Sequence, residues 1–248
     1  MVDRVDRAAI VTGASSGIGL AVARMLAEEG HAVTLAARRP EKLRAAYEEL
    51  SGEGLEVQQV GADVLEEQDV KRVIAAHQDA YGRLDVLVNN AGVGIGMPIG
   101  ELSTTHMDLQ LGTNLRAAAL FYREALPMLS AAGAEHRNAL VVNTASIAGK
   151  RGQAWLSIYA ATKFGLVGLT QSMNRELNPL GIKSTALCPA FVDTPMTDFV
   201  KDRVAPEAMI QTSDIVAGVR MLLALSAGCV VPEIMFERPG GGQLDLFT

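Results

Sequence analysis

In the stretch YAATK a phenol, Tyr159, stands four residues before an ammonium, Lys163, in an otherwise uncharged segment. On a helix that spacing stacks the two side chains on one face, with Cβ atoms about 5 to 6 Å apart. A phenol of pKa about 10 is a poor base near neutral pH, and bringing it down by roughly 3 units takes about 4 kcal/mol. One positive charge about 4 Å away, at an effective dielectric near 20, supplies about that much. Lys163 is therefore strong enough to make Tyr159 a proton donor and acceptor. A second stretch, TGASSGIG from Thr12 to Gly19, suits an anion. Gly13 permits a tight turn, Gly17 lets backbone approach a pyrophosphate, and Gly19 allows a helix to pack closely on a strand. The helix N-terminus favours the phosphate charge.

These residues need a frame that brings them to one place. Short apolar runs typical of strands occur at residues 8–12, 32–36, 55–60, 84–88, 139–143, 182–187 and 233–237. Helical patterns separate them, at 17–29, 41–50, 66–80, 104–129, 157–178 and 214–225, several opened by Ser, Thr or Asp caps. The alternation predicts an α/β single domain over residues 1–248: a Rossmann-type, doubly wound parallel sheet of about seven strands with helices on both faces. Ligands in such sheets sit beyond the carboxyl ends of the strands, so the residues following each run are the candidates. Asp63, after the third run, is placed to accept from an adenine amino group. NNAG, Asn89 to Gly92, gives a small, polar, tight-turning floor after the fourth. After the second run an acidic residue would bind the ribose diol of NAD, but the sequence there is AARR. Arg38 and Arg39 suit a ribose phosphate instead, which favours NADP(H), with NAD(H) as the second candidate.

Composition narrows the partners. A net charge of −6 argues against nucleic acid, which needs clustered Lys and Arg. No stretch approaches a membrane span, and the apolar run near the start follows MVDRVDR, which has no net positive charge. The two cysteines, Cys188 and Cys229, fall in different predicted elements, so a reducing, cytoplasmic setting is expected and no disulfide is. No metal site is read.

Taken together, TGASSGIG, NNAG, Asn114 in GTNL, Ser146 in NTASIAG, YAATK and PAFVDT resemble the short-chain dehydrogenase/reductase family of about 250 residues, from Thr12 nearly to the end. The resemblance implies a catalytic tetrad of Asn114, Ser146, Tyr159 and Lys163. In it Ser146 bonds the substrate oxygen, Asn114 holds a water in a proton relay, and Lys163 also binds the nicotinamide ribose. It further implies nucleotide contacts at Gly13, Ser15, Ser16, Gly17, Ile18, Gly19, Arg38, Arg39, Asp63, Val64, Asn90, Ala91 and Gly92, together with Pro189, Val192 and Thr194. Ala190 departs from the Pro-Gly usual after the sixth strand, adding a methyl beside the nicotinamide.

Substrate contacts are expected at Ser146 and Tyr159 and at Gln153, Trp155, Met196 and Phe199, beside Ile95, Met97 and Leu156. This largely apolar lining suits a small-molecule ketone or secondary alcohol, with residues 190–212 as a lid. Reduction of a 3-oxoacyl group on an acyl carrier protein is the alternative. Arg175 falls at one of the two basic positions such reductases use at the pocket mouth, and Pro127 occupies the other. A non-catalytic NADP-binding sensor or scaffold would tend to lose Tyr159 or Lys163, and both are here. The resemblance also suggests a homotetramer built through helices 104–129 and 157–178, whose small and apolar residues exceed what a solvated helix needs. The tail at 240–248, with Leu244, Leu246 and Phe247 behind a glycine hinge, is expected to pack on a neighbouring subunit.

Overall fold

The computed structural model describes residues 5–239; the expected packing of the tail at 240–248 lies outside the described residues. β1 (Ala8–Thr12) is buried at every residue, as an uninterrupted apolar run must be when helices cover both faces of its sheet. The other strands are β2 (Ala32–Ala37), β3 (Val57–Gly61), β4 (Val86–Asn89), β5 (Ala139–Thr144), β6 (Ile182–Pro189) and β7 (Glu233–Phe236). They form one seven-stranded sheet in the order β3-β2-β1-β4-β5-β6-β7. Every pair is parallel, with Ile10 opposite Thr34 on one side and Leu87 on the other.

Side chains alternate across the sheet and so build two cores. Ala9, Val11, Val33 and Val88 pack under α1 (Gly17–Glu28), α2 (Pro40–Gly52) and α7 (Thr212–Ala224). Ile10, Ala36, Leu87 and Val141 pack on the opposite face, under α3 (Glu67–Tyr81) and the helices that follow β4 and β5. The chain reverses its winding between β1 and β4, which opens a crevice at their carboxyl ends.

Two elements differ most from the sequence expectation. β3 starts two residues later than its apolar run and is only half-buried, because it lies at the sheet edge. The helix expected at 104–129 is α4 (Thr104–Leu111), one wide π-type turn over Gly112–Arg116, and α5 (Ala117–His136). α5 continues past Leu129 because Gly133 is a contact rather than a stop: a Cβ there would lie 2.3 Å from the Leu180 carbonyl oxygen. Arg137, in the left-handed region at φ 56°, ends the helix instead. α6 (Ser157–Leu177) lies where expected.

Residues 190–212 contain two short 3-10 turns, Pro195–Val200 and Pro206–Ala208, closed by a bridge between Val192 and Ile210. Val200, Val204 and Met209 with Phe191 give this excursion a small core of its own. No helix of the described residues is long and apolar enough to cross a membrane.

Candidate active site

At the crevice, Gly13 and Gly17 take left-handed backbone, with φ 65° and 57°. Cβ atoms would meet Asn90 Nδ2 at 2.9 Å from Gly13 and Thr194 Cγ2 at 3.1 Å from Gly17. The glycines therefore let three loops meet. Gly19 packs tighter still, with a Cβ position 2.4 Å from the Gly13 carbonyl oxygen. Ser16 caps α1 without a side-chain bond, leaving its first N–H groups as donors for an anion. Ser15, Ser16 and Ile18 are partly exposed around them. Further along, Arg38 and Arg39 are exposed at the end of β2, and Asp63 Oδ2 lies 3.7 Å from the Arg38 guanidinium. Asp63, read as an adenine acceptor, thus also orients the cation beside it, while Val64 is buried. Uncapped helix, bare turn and exposed cations together fit a dinucleotide carrying an extra phosphate.

Thr12 ties this loop to the next strand. Its hydroxyl accepts from the amides of Asn90 (2.9 Å) and Ala91 (3.0 Å), and Asn90 Nδ2 donates to the Thr12 carbonyl at 3.0 Å. Thr144 donates to Asn90 Oδ1 at 3.2 Å. The side chain of Asn90 therefore clamps β1, β4 and β5 together and shapes the nucleotide floor.

The four tetrad residues come together from the π-type turn before α5, the segment just after β5, and α6. Asn114 Oδ1 accepts from the Val93 amide and its Nδ2 donates to the Val93 carbonyl, both at 2.8 Å, and to Thr162 Oγ1 at 3.1 Å. Thr162 in turn donates to the Tyr159 carbonyl at 2.7 Å. Lys163 is buried and donates to the Thr144 carbonyl at 2.7 Å, with Nζ 5.6 Å from the Tyr159 ring centroid. Ser146 hydrogen-bonds the Tyr159 phenol, and the turn that follows it packs on α6 through Gly149, where a Cβ would lie 2.7 Å from the Lys163 carbonyl oxygen. Gly92 faces Asn114 Oδ1 and Lys163 Nζ, and Gly94 faces the Tyr159 ring.

Burial shapes the electrostatics more than the pairing does. It pushes the Tyr159 phenol above its ordinary value, offset in part by the hydrogen bond with Ser146. It also pushes Lys163 down to about 8. The expected lowering of the phenol by Lys163 is thus absent from the protein groups alone, where removal of the phenolate from water dominates. Tyr159 is a neutral acid here, the form that protonates a developing alkoxide.

The remaining predicted positions lie at the end of β6 and on the segments that follow β5 and β6. Pro189 and Val192 are buried, and Thr194 is half-buried with its methyl against Gly17. Gln153 is half-buried and Trp155 holds a left-handed backbone at φ 63°. Met196 and Phe199 are 53% and 66% exposed, so they project from the 190–212 excursion rather than filling its core. Arg175 is exposed on α6 and Pro127 on α5.

Residue-by-residue reading missed a buried polar web behind the site. Asn89 donates to Asn143 Oδ1 (2.9 Å), and Asn143 donates to Tyr122 Oη (2.8 Å) and Thr170 Oγ1 (2.9 Å). Tyr122 continues it to Ser184 at 2.9 Å. The one signal in the sequence is asparagine at the same register of β4 and β5, where a parallel strand ought to be apolar. Among the described residues no cluster of three or more His, Cys, Asp or Glu is placed to hold a metal ion.

The short chain dehydrogenase family model matches residues 7–205. The "Monensin polyketide synthase putative ketoacyl reductase" of Streptomyces virginiae is 40% identical over 206 residues, 83% of this chain and 78% of that one. The 3-oxoacyl-[acyl-carrier-protein] reductase FabG of Staphylococcus aureus is 34% identical over 209 residues, 84% of this chain and 83% of that one. Among solved structures, a variant of actinorhodin polyketide ketoreductase with NADPH superposes with a TM-score of 0.85 at 33% identity, covering 95% of this chain and 97% of that one. A crevice built by Thr12, Asn114, Ser146, Tyr159 and Lys163 and a family match over most of the chain lead to one conclusion: the chain belongs to the short-chain dehydrogenase family.

Proposed function

We propose that this protein is an NADP(H)-dependent oxidoreductase that interconverts a ketone and a secondary alcohol on an apolar small molecule. The observation that carries the reading is the convergence of Tyr159, Lys163 and Asn114 around the bare backbone of Gly92 and Gly94. Bound NADPH supplies the hydride. Ser146 hydrogen-bonds the substrate oxygen, Tyr159 gives it a proton, and Lys163 holds the ribose hydroxyls and replenishes the phenol through a water at Asn114. Arg38 and Arg39 hold the distinguishing phosphate, and relatives crystallised with NADPH or NADP support that preference, while one crystallised with NADH keeps NAD(H) as a second coenzyme.

A second reading is the reduction of a 3-oxoacyl thioester, favoured by relatives named ketoacyl reductase. Met196, Phe199, Trp155 and Gln153 form the substrate mouth in either case, and residues 190–212 act as its lid. The setting is cytoplasmic, and the assembly is a homotetramer through α4, α5 and α6. Supporting this, Leu111 and Phe164 are exposed there, and Gly168 has open space where a Cβ would stand. A panel of ketones and 3-oxoacyl thioesters with NADPH, read at the nicotinamide absorbance, tests the reaction. Tight NADPH binding without oxidation by any of them would make the protein a sensor or scaffold instead.

A further inference from the structure

From the last residue of NNAG onward the chain alternates strictly between bare and apolar residues: Gly92, Val93, Gly94, Ile95, Gly96, Met97. Its hydrogen bonds alternate as well. Val93 gives its N–H and C=O to Asn114, the Ile95 N–H goes to Oε1 of the fully buried Gln110 at 3.1 Å, and the Met97 N–H goes to the Trp155 carbonyl at 2.8 Å. The side chains of Asn114 and Gln110 and the Trp155 carbonyl thus take the place of a partner strand for the odd-numbered residues. In an extended chain the groups of the intervening residues point the opposite way. No described protein group hydrogen-bonds the backbone of Gly94 or Gly96, and both residues are exposed. Neither has positive φ, so flexibility does not explain the glycines. At Gly94 a Cβ would sit 3.6 Å from Tyr159 Cε2, so this open edge begins at the phenol and runs outward.

Resting on the ketone-reductase reading, we propose that the Gly94–Gly96 edge recognises a secondary amide in the substrate, carried on an extended arm beyond the reacting carbonyl. An unpaired strand edge binds amides by backbone hydrogen bonds. From Gly94 to Gly96 the edge advances about 6.6 Å, two residues of strand rise. That places the Gly96 N–H over an amide a few bonds from a carbonyl held at Tyr159. Gln110 is the positioning residue that fixes this edge.

The test compares two thioesters of 3-oxobutanoate with NADPH: the N-acetylcysteamine thioester, and an S-alkyl thioester of equal length in which methylenes replace the amide. The wild-type protein should prefer the amide by about tenfold in kcat/KM, as one retained hydrogen bond allows. In Gly96→Pro, which deletes the N–H, that ratio should fall to about one; in Gly96→Ala, which keeps it, the preference should persist. A wild-type ratio near one, or a ratio unchanged by Gly96→Pro, overturns the proposal. Should neither thioester be reduced, the thioester reading fails instead, and the same ratio taken from dissociation constants by calorimetry decides the edge.

Discussion

Replacing Lys163 by methionine should abolish turnover and yet make the protein more stable at neutral pH. The ammonium is buried with one carbonyl as its partner, and its pKa falls from the usual 10.5 to about 8. Below pH 8 both the folded and unfolded chains hold this proton, and the folded state bears the full burden of the buried charge, about 3 kcal/mol. Between pH 8 and 10.5 the unfolded chain binds more protons, so wild-type stability should rise with pH by that amount. Methionine removes the charge at similar length but leaves the Thr144 carbonyl without its donor, a loss of about 1 to 2 kcal/mol. The balance at pH 7 is a gain of about 1 to 2 kcal/mol, or a melting temperature higher by about 2 to 8 °C for a chain of this size. Calorimetric melts of both proteins from pH 6 to 10.5, without nucleotide, measure it. The reasoning fails if the variant melts lower at pH 7, or if the gap between the two curves does not narrow from pH 8 upward.

Tyr159→Phe should lower turnover at least about 100-fold, the usual worth of a proton donor. NADPH affinity by fluorescence titration should hardly move, and a faster variant would remove the phenol from the chemistry. Arg38→Asp should reverse the ratio of kcat/KM for NADPH over NADH; a wild-type protein already faster with NADH contradicts the phosphate assignment. Gly19→Ala forces a methyl to within 2.4 Å of both Asn90 Nδ2 and the Gly13 carbonyl. It should destabilise by about 3 kcal/mol in urea, and an unchanged midpoint would show that the loop can shift. Burial also pushes His77 down to about 4. Its neutral ring is therefore stabilising above pH 6.5, and about 3 kcal/mol should drain away as pH falls from 6.5 through 4. A flat stability profile across that window in wild type, or no flattening in His77→Gln, would count against it.

The fold was legible where a strand is buried on both faces. β1 and β6 begin where their apolar runs begin, since nothing polar interrupts them. β3 slipped by two residues because its half-buried VQQVG carries little alternation. The wide turn at Gly112–Arg116 could not be read: its i to i+5 bonds impose no spacing of residue types. At the site, Tyr159 and Lys163 were legible as a pair because helical spacing alone brings them together. The partner of Lys163 was not, because it is a backbone carbonyl, which every residue has. The electrostatic sign of Tyr159 also escaped, since it depends on how much water the fold removes.

The Thr12 hydroxyl joins residues 78 and 79 positions away in the chain, across the seam where β1 meets β4. On one side of that seam lie the elements that grip a nucleotide; on the other, those that handle a proton. Neither piece, expressed alone, contains a whole crevice. A chain cut in the exposed Gly82 turn between α3 and β4 would yield two fragments, each with part of the parallel sheet and one raw edge. Only their reunion, sealed by Thr12 and Asn90, recreates a reaction centre. Activity in such a pair would be an all-or-nothing report that the two halves had found each other in register.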